Sequence, residues 1–307
     1  MRVAIIGAGP AGLTLALALL RESIEVAIFE RDLGPTSRPQ GGTLDLHTTT
    51  GLAALKRIGL YDEFLKHARF DGEAFTMVDS RNRRYVEISG GTEKTSNGRP
   101  EIDRTKLRDM LLKAIPQDCI QWNTKLVSIE KDLTLRFEDR TLTGFDLVVG
   151  ADGAWSKVRP YVSPVRPAYT GVTGMHWRIP KAADRFPELH SMIDQGLFCA
   201  YEEGTSLMGQ QIGDGSISVT AWLVKDEEWA NEMQVKYQDP AMLKEKILEL
   251  YDGWAPDLRR LIQVADEQPF WADKIYHLPV GHKWLTKGNV TLIGDAAHVS
   301  LQGYSCL

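Results

Sequence analysis

The chain has 307 residues, 43% of them hydrophobic and 25% charged, which is the composition of a soluble globular protein with one large or two modest cores. Its 36 basic and 41 acidic residues give a net charge of −5, and no basic stripe carries interleaved aromatic residues, so nucleic acid is not an expected partner. Cys119, Cys199 and Cys306 lack C-x-x-C spacing and a His cluster, which argues against a disulfide framework or a zinc site and favours a reducing, cytoplasmic location.

The first 20 residues predict a strand, a glycine turn and a helix. Residues 3–6 form an apolar run typical of a strand buried in a parallel sheet, and Gly7, Gly9 and Gly12 follow it. Gly7 would make a tight turn, Gly9 would let the backbone approach a pyrophosphate, and Gly12 would let the helix over 13–20 pack closely. The anion would then lie at a helix N-terminus, where unpaired N–H groups favour it.

A second strand, over residues 24–29, ends at Glu30, at the spacing expected of a carboxylate that accepts from a ribose hydroxyl. The apolar stretch 3–20 also has the length of a signal peptide or membrane anchor. Such a segment has no need of three spaced glycines and Pro10, and no A-x-A-like cleavage site is evident, so stable membrane insertion is not expected. A glycine fingerprint alone does not distinguish FAD from NAD.

The rest of the chain predicts a returning nucleotide sheet and a second, antiparallel sheet. Short alternating runs between residues 165 and 225 are typical of that antiparallel sheet, which would form the substrate domain. The remaining predicted elements are helices over 50–58, 101–114, 242–251 and 257–264, and strands over 125–130, 134–137, 146–149 and 289–293.

Three segments together carry a family resemblance: the glycine fingerprint with Glu30, the run from Asp146 to Arg159, and Gly294-Asp295. As an ordered set they closely resemble the fingerprints of single-component, class A, aromatic-hydroxylase-type FAD monooxygenases, over nearly the whole chain. Segments 41–47, 101–108 and 226–229 look most like the tetracycline-inactivating branch and its fungal and bacterial relatives.

The resemblance implies an α/β fold in which a Rossmann-like, GR2-type FAD-binding domain carries an inserted antiparallel β-sheet substrate domain. The FAD-binding domain would be discontinuous and comprise residues 1–75, 99–164 and 284–307. The substrate domain would comprise residues 76–98 and 165–283.

The resemblance also assigns residues to the two cofactors, FAD and the hydride donor NADPH. Arg38 matches an arginine that binds NADPH in the tetracycline-inactivating branch, and a solvated loop residue is the alternative. Asp45 is either a flavin contact or an exposed strand residue, and Asp152-Gly153 is either a fingerprint or a plain turn. The full set expected at FAD is Gly7, Gly9, Gly12, Glu30, Arg31, Asp45, Arg104, Asp152, Gly153, Gly294 and Asp295.

His176 aligns with a substrate-contacting glutamine of the same branch, and a core or surface histidine is the alternative. Trp177, Trp222 and Phe198 either line an apolar pocket or belong to the core. In the family, NADPH reduces FAD, O2 adds to give a 4a-hydroperoxide, and one oxygen atom passes to an aromatic or polyketide-like small molecule. Because the cofactor supplies this chemistry, no side chain is named as catalytic acid, base or nucleophile.

The end of the chain departs from the family pattern. After residues 294–298 the family continues with a proline, a Gly-Gln-Gly-type helix start that shelters the flavin, and long helices, whereas residues 299–307 lack the proline and the chain stops. A C-terminally truncated site is therefore expected, and a non-catalytic flavin-fold protein that binds a ligand or partner without turnover stays open as an alternative. Apolar surface uncovered there predicts a homodimer or poor solubility.

Overall fold

A computed structural model describes residues 1–37, 41–285 and 287–300 of the chain, without the side chains of residues 268–270. Its strands are β1 (Arg2–Ile6), β2 (Glu25–Phe29), β3 (Thr43–Asp45), β4 (Phe75–Asp79), β5 (Arg84–Ile88), β6 (Glu101–Asp103), β7 (Ile120–Gln121), β8 (Leu126–Ile129), β9 (Leu135–Phe137), β10 (Thr141–Leu142), β11 (Leu147–Gly150), β12 (Ala168–Ile179), β13 (Leu197–Glu202), β14 (Thr205–Gln211), β15 (Ile217–Val224), β16 (Asp266–His277) and β17 (Val290–Leu292). Its helices are α1 (Pro10–Arg21), α2 (Gly51–Arg57), α3 (Tyr61–Leu65), α4 (Arg104–Ala114), α5 (Arg159–Val162), α6 (Ala182–Arg185), α7 (Pro187–Ile193), α8 (Trp229–Lys236), α9 (Pro240–Glu249), α10 (Pro256–Val264) and α11 (Asp295–His298).

A parallel sheet with strand order β17-β11-β1-β2-β7 confirms the predicted Rossmann-like half. Strand β1 is buried on both faces, because Val3 and Ile5 pack in one cluster with α1 and Ala4 and Ile6 pack in a second cluster with Leu126. The apolar stretch 3–20 is thus a strand and a 12-residue helix that begins at Pro10, a residue preorganised for the first helical turn. No helix of the described ranges is long and apolar enough to cross a membrane.

A seven-stranded sheet with order β16-β12-β15-β14-β13-β4-β5 forms the second half. Its pairs are antiparallel except β4 with β13, which run parallel, so the sheet is mixed where pure antiparallel pairing is expected from the sequence. One face is covered by helices α7, α9 and α10 and forms a hydrophobic core. Trp177 and Phe198 lie in that core, so these two aromatic residues are core residues and do not line a pocket.

The opposite face of this sheet carries a row of directly paired residues. His176 pairs with Thr220, Thr220 with Met208, Met208 with Cys199, and Cys199 with Met77. Directly paired residues point to the same side of a sheet and their chain neighbours to the other, so this row lies opposite the helix-covered core. We call this surface the His176 face.

One predicted element has the wrong bounds, and one strand was not predicted. The helix expected over 101–114 begins only at Arg104, because Glu101–Asp103 pairs with β3 as strand β6 and the Glu101 backbone also bonds to Arg69. Strand β16 was not predicted from its polar sequence. It is held at the sheet edge by antiparallel pairing with β12.

Candidate functional site

The glycine turn after β1 is built so closely that two of its glycines admit no side chain. Gly7 has a φ of +110°, and a Cβ on it would lie 2.4 Å from the backbone oxygen of Ala151. A Cβ on Gly12 would lie 2.1 Å from the backbone oxygen of Gly7. Gly7 and Gly12 are therefore required for the turn and for the approach of α1 to the sheet.

Gly9 differs, because a Cβ on it would meet nothing within 4 Å. It is the N-cap of α1, with extended backbone and no side chain capping the helix. The first N–H groups of a helix lack intrahelical partners and carry the positive end of its dipole. The structure thus leaves an uncapped helix N-terminus beside open space, which suits a pyrophosphate.

Glu30 lies beside this turn and is only 5% exposed. Its carboxylate accepts hydrogen bonds from the backbone N–H of Ala8, at 2.6 Å, and of Asp32, at 3.0 Å. Each carboxylate oxygen has a second acceptor site, so a ribose hydroxyl can still donate to it. Arg31, the next residue, is exposed at the rim.

Arg108 is a site residue that the sequence alone did not single out. It is 3% exposed and donates to the Pro35 carbonyl at 2.8 Å, with its guanidinium 3.5 Å from the Asp32 carboxylate. These contacts hold the loop after Glu30 against α4. An arginine on the apolar face of a predicted helix, beside Leu107, is the signal that points to it, because arginine is seldom buried without partners.

The second fingerprint is folded around Asp152. Its carboxylate accepts from the Lys157 backbone N–H at 2.6 Å, and burial raises the pKa of Asp152 above its ordinary value. Gly153 beside it leaves open space, since a Cβ there would meet nothing within 4 Å.

Arg159 ties the second fingerprint to the third. Its side chain is 3% exposed and donates to the carbonyls of Ala296, at 2.9 Å, and Asp295, at 3.2 Å, while burial lowers the pKa of the guanidinium. Gly294 then abuts the glycine turn, because a Cβ on it would lie 3.1 Å from the Ala11 side chain. Asp295 is exposed at the start of α11.

The three fingerprints therefore meet at the carboxyl edge of the parallel sheet, after strands β1, β2, β11 and β17. The Gly7 N–H donates to the Phe29 carbonyl and the Ala151 N–H to the Ile6 carbonyl, both at 2.8 Å, so the turns are mutually fixed. Ligands of open α/β sheets bind outside this edge.

Asp45 lies on the two-stranded ribbon formed by β3 and β6, and Arg104 begins α4 directly after β6. Asp45 is exposed, with its carboxylate 3.8 Å from Nε2 of His47. Arg104 is also exposed, and its backbone N–H donates to the Gly42 carbonyl at 3.1 Å. Arg38 lies outside the described residues.

The same ribbon contacts the His176 face. The Gln210 amide donates to the hydroxyl of Thr43, at 2.6 Å, and to the Glu101 carboxylate, at 3.0 Å. Glu101 also pairs with Arg69 at 2.5 Å, but burial outweighs that cation and raises the pKa of Glu101 to about 7. Gln210 pairs with Ser218, two residues along the strands from the pair Met208 and Thr220, and therefore lies on the His176 face. Because Gln210 contacts the ribbon, the His176 face is turned towards the ribbon.

His176 is 8% exposed and both ring nitrogens have protein neighbours. Nδ1 lies 3.0 Å from the Thr220 hydroxyl and Nε2 lies 3.1 Å from the Asp273 carboxylate. Trp271 stacks on the ring with centroids 5.0 Å apart, and Trp222 meets it edge-on at 5.3 Å. Burial raises the pKa of Asp273, but hydrogen bonding and charge attraction from His176 outweigh it and leave that pKa below its ordinary value.

Comparison with known proteins agrees with this geometry. Residues 1–301 match the protein family described as FAD binding domain. Monooxygenase asqM of Emericella nidulans is 30% identical, in an alignment that covers 96% of this chain and 78% of asqM.

Solved structures share the fold. A variant of HpxO from Klebsiella pneumoniae complexed with FAD has a TM-score of 0.79 at 22% identity, covering 98% of this chain and 75% of that one. Tetracycline destructase Tet(51) has a TM-score of 0.64 at 19% identity, covering 97% and 75%. The chain therefore belongs to the FAD-binding-domain family and is an FAD-dependent monooxygenase of the class A, aromatic-hydroxylase type.

Proposed function

We propose that the protein hydroxylates an aromatic or polyketide-like small molecule, with O2 as oxygen source and NADPH as hydride donor. The observation that carries this proposal is the open space at Gly9, in front of an uncapped helix N-terminus where all three fingerprints meet. A structural turn has no need of such a space, whereas a bound dinucleotide does.

FAD would supply the redox chemistry and the activation of oxygen, and the protein would bind and orient it. The α1 N-terminus at Gly9 would receive the pyrophosphate, and the free acceptor sites of Glu30 would receive a ribose hydroxyl. Gly7 and Gly12 would act by shaping the turn rather than by contact.

The remaining expected residues would extend this site along the edge of the sheet. Asp45 and Asp295 expose carboxylates that can accept from hydroxyl groups of the cofactor. The others proposed at FAD are Arg31, Arg104, Asp152, Gly153 and Gly294, with Arg38 proposed at NADPH.

The substrate would bind at the His176 face, because that face is turned towards the ribbon that carries Asp45 and leads into Arg104. His176 would act mainly by holding Asp273 and Trp271, since both of its nitrogens already have protein neighbours. We also propose that the protein belongs to the tetracycline-inactivating branch and has two domains. The FAD-binding domain would comprise residues 1–75, 99–164 and 284–307, and the substrate domain residues 76–98 and 165–283. The support for this proposal is the shared segment 41–47 and the separation of the five-stranded parallel sheet from the seven-stranded mixed sheet.

The experiment is a turnover assay with protein reconstituted with FAD. NADPH oxidation is followed with and without a panel of aromatic and polyketide-like compounds, and products formed under ¹⁸O2 are analysed by mass spectrometry. We expect ligand-stimulated oxidation and one labelled oxygen atom in the product. Folded, FAD-loaded protein that oxidises no NADPH with any compound would contradict the proposal and favour a ligand-binding protein without turnover.

A further inference from the structure

The His176 face has a chemistry that restricts what it can bind. On strands β14, β13 and β4, the face carries five partly exposed apolar or aromatic residues, which are Met208, Met77, Leu197, Phe75 and Tyr201. Methionine and aromatic side chains adapt to flat apolar ligands and gain from sulfur-aromatic contact. This part of the face suits an aromatic ring system.

Two cations near this face, Arg178 and Arg69, are already engaged by carboxylates, and the exposed Arg104 beside the ribbon is one of the residues proposed at FAD. In the described strands of the sheet, Arg178 is the guanidinium that the register places on the face. It donates to the Ser216 hydroxyl at 2.7 Å and to the Asp214 carboxylate at 3.0 Å. Arg69, on the ribbon side, is held by Glu101 at 2.5 Å and donates to the Gln211 carbonyl.

Beside His176, the accessible charge is negative. The side chain of Asp273 is 54% exposed and adjoins the side chain of His176, which is 10% exposed. A ligand carboxylate bound here would lose water without gaining a cation and would meet the charge of Asp273, and both effects disfavour binding. A ligand hydroxyl or N–H would instead find an acceptor in Asp273.

We infer that the substrate is an uncharged aromatic molecule that carries a hydroxyl or N–H donor for Asp273 and no carboxylate. The inference rests on the proposed function, because it takes the His176 face as the substrate side.

The test uses two aromatic compounds of similar size, 2-naphthol and 2-naphthoate, with the FAD-reconstituted protein. Binding is measured by quenching of tryptophan fluorescence, since Trp222 and Trp271 flank His176. We expect 2-naphthol to bind at least about tenfold more tightly. Equal or tighter binding of 2-naphthoate overturns the inference, as does failure of both compounds to bind.

A cation placed on the His176 face should reduce the preference for 2-naphthol over 2-naphthoate. Met208→Lys introduces an ammonium group at the centre of the His176 row, and the ratio of the two dissociation constants should move at least about tenfold towards 2-naphthoate. Ser218→Lys, on the same face, serves as second variant if Met208→Lys does not fold. The control is Val235→Lys, which adds the same charge at a site that is 74% exposed on α8 and should leave the ratio unchanged. An unchanged ratio in a folded face variant, or an equal change in the control, refutes the inference.

Binding and turnover separate this inference from the proposed function. Preferential binding of 2-naphthol without any NADPH oxidation counts against the proposed function alone. NADPH oxidation that 2-naphthoate stimulates more strongly than 2-naphthol counts against the substrate class alone.

Discussion

Replacing Gly9 with alanine should separate cofactor binding from folding. The new methyl group meets no protein atom within 4 Å, and the extended backbone of Gly9 accommodates alanine. Alanine is a poorer N-cap than glycine, but it also lowers the entropy of the unfolded chain, and the two effects oppose each other. We therefore expect the free energy of unfolding of the FAD-free protein to change by less than about 1 kcal/mol.

FAD binding should suffer, because the methyl group occupies the space into which the pyrophosphate would come. Loss of one charge-assisted hydrogen bond costs about 1.5–3 kcal/mol, which corresponds to a rise in the FAD dissociation constant of about 10- to 100-fold. At FAD concentrations where the wild type gains about 2.7 kcal/mol from binding, a 100-fold weaker variant gains only about 0.4 kcal/mol.

Gly12→Ala is the matched comparison. Its methyl group would lie 2.1 Å from the backbone oxygen of Gly7, so the turn must move. Overpacking of this kind costs about 1–3 kcal/mol or more, and the loss should appear without FAD. Urea unfolding with and without FAD, together with flavin fluorescence titration, measures both quantities for each variant. Gly9→Ala that binds FAD like wild type, or that loses as much intrinsic stability as Gly12→Ala, would refute the assignment of the open space to the cofactor.

Three further predictions concern residues that connect the segments around the site. Burial raises the pKa of Glu101 from 4.5 to about 7. The stabilisation that protonated Glu101 gives to the folded protein is therefore fully present below pH 4.5 and is lost as the pH rises through 7. The free energy of unfolding should fall by on the order of 3 kcal/mol over this window. Glu101→Gln should flatten the pH dependence of the unfolding free energy in this window, and identical slopes would contradict the prediction. Arg159→Met should remove the side-chain hydrogen bonds to the Ala296 and Asp295 carbonyls, cost about 1–3 kcal/mol in urea unfolding and weaken FAD binding. Wild-type values in both assays would count against this role of Arg159. Gly174→Ala would place a Cβ 2.4 Å from the Trp222 ring, so that ring must move. Aromatic ligands should then bind less tightly, while the FAD dissociation constant stays unchanged. A change in FAD affinity without a change in ligand affinity would contradict this prediction.

Local pattern was sufficient to predict the opening strand, turn and helix of the cofactor half. Strand β1, the glycine turn and α1 follow from apolar periodicity and glycine spacing, which are properties of adjacent residues. The convergence of Gly7, Asp152 and Gly294 follows because parallel strands end at one edge of the sheet.

What the sequence did not predict depends on partners distant in the chain. Glu101–Asp103 has helical neighbours but becomes a strand through pairing with β3, and β16 is polar but is ordered by β12. The surroundings of His176 depend on Thr220, which lies 3.0 Å from Nδ1, and on Asp273, which lies 3.1 Å from Nε2, and periodicity connects neither residue to it. Arg108 lies in a recognised motif, but its burial depends on the loop that it holds.

The most direct test of the account is the visible absorption spectrum of the protein after mixing with FAD and gel filtration, followed by anaerobic addition of NADPH. A flavin site at the fingerprint edge predicts stoichiometric flavin bands that remain with the protein and bleach when NADPH is added. A folded protein that retains no flavin, under conditions where its circular dichroism shows native structure, would contradict the account.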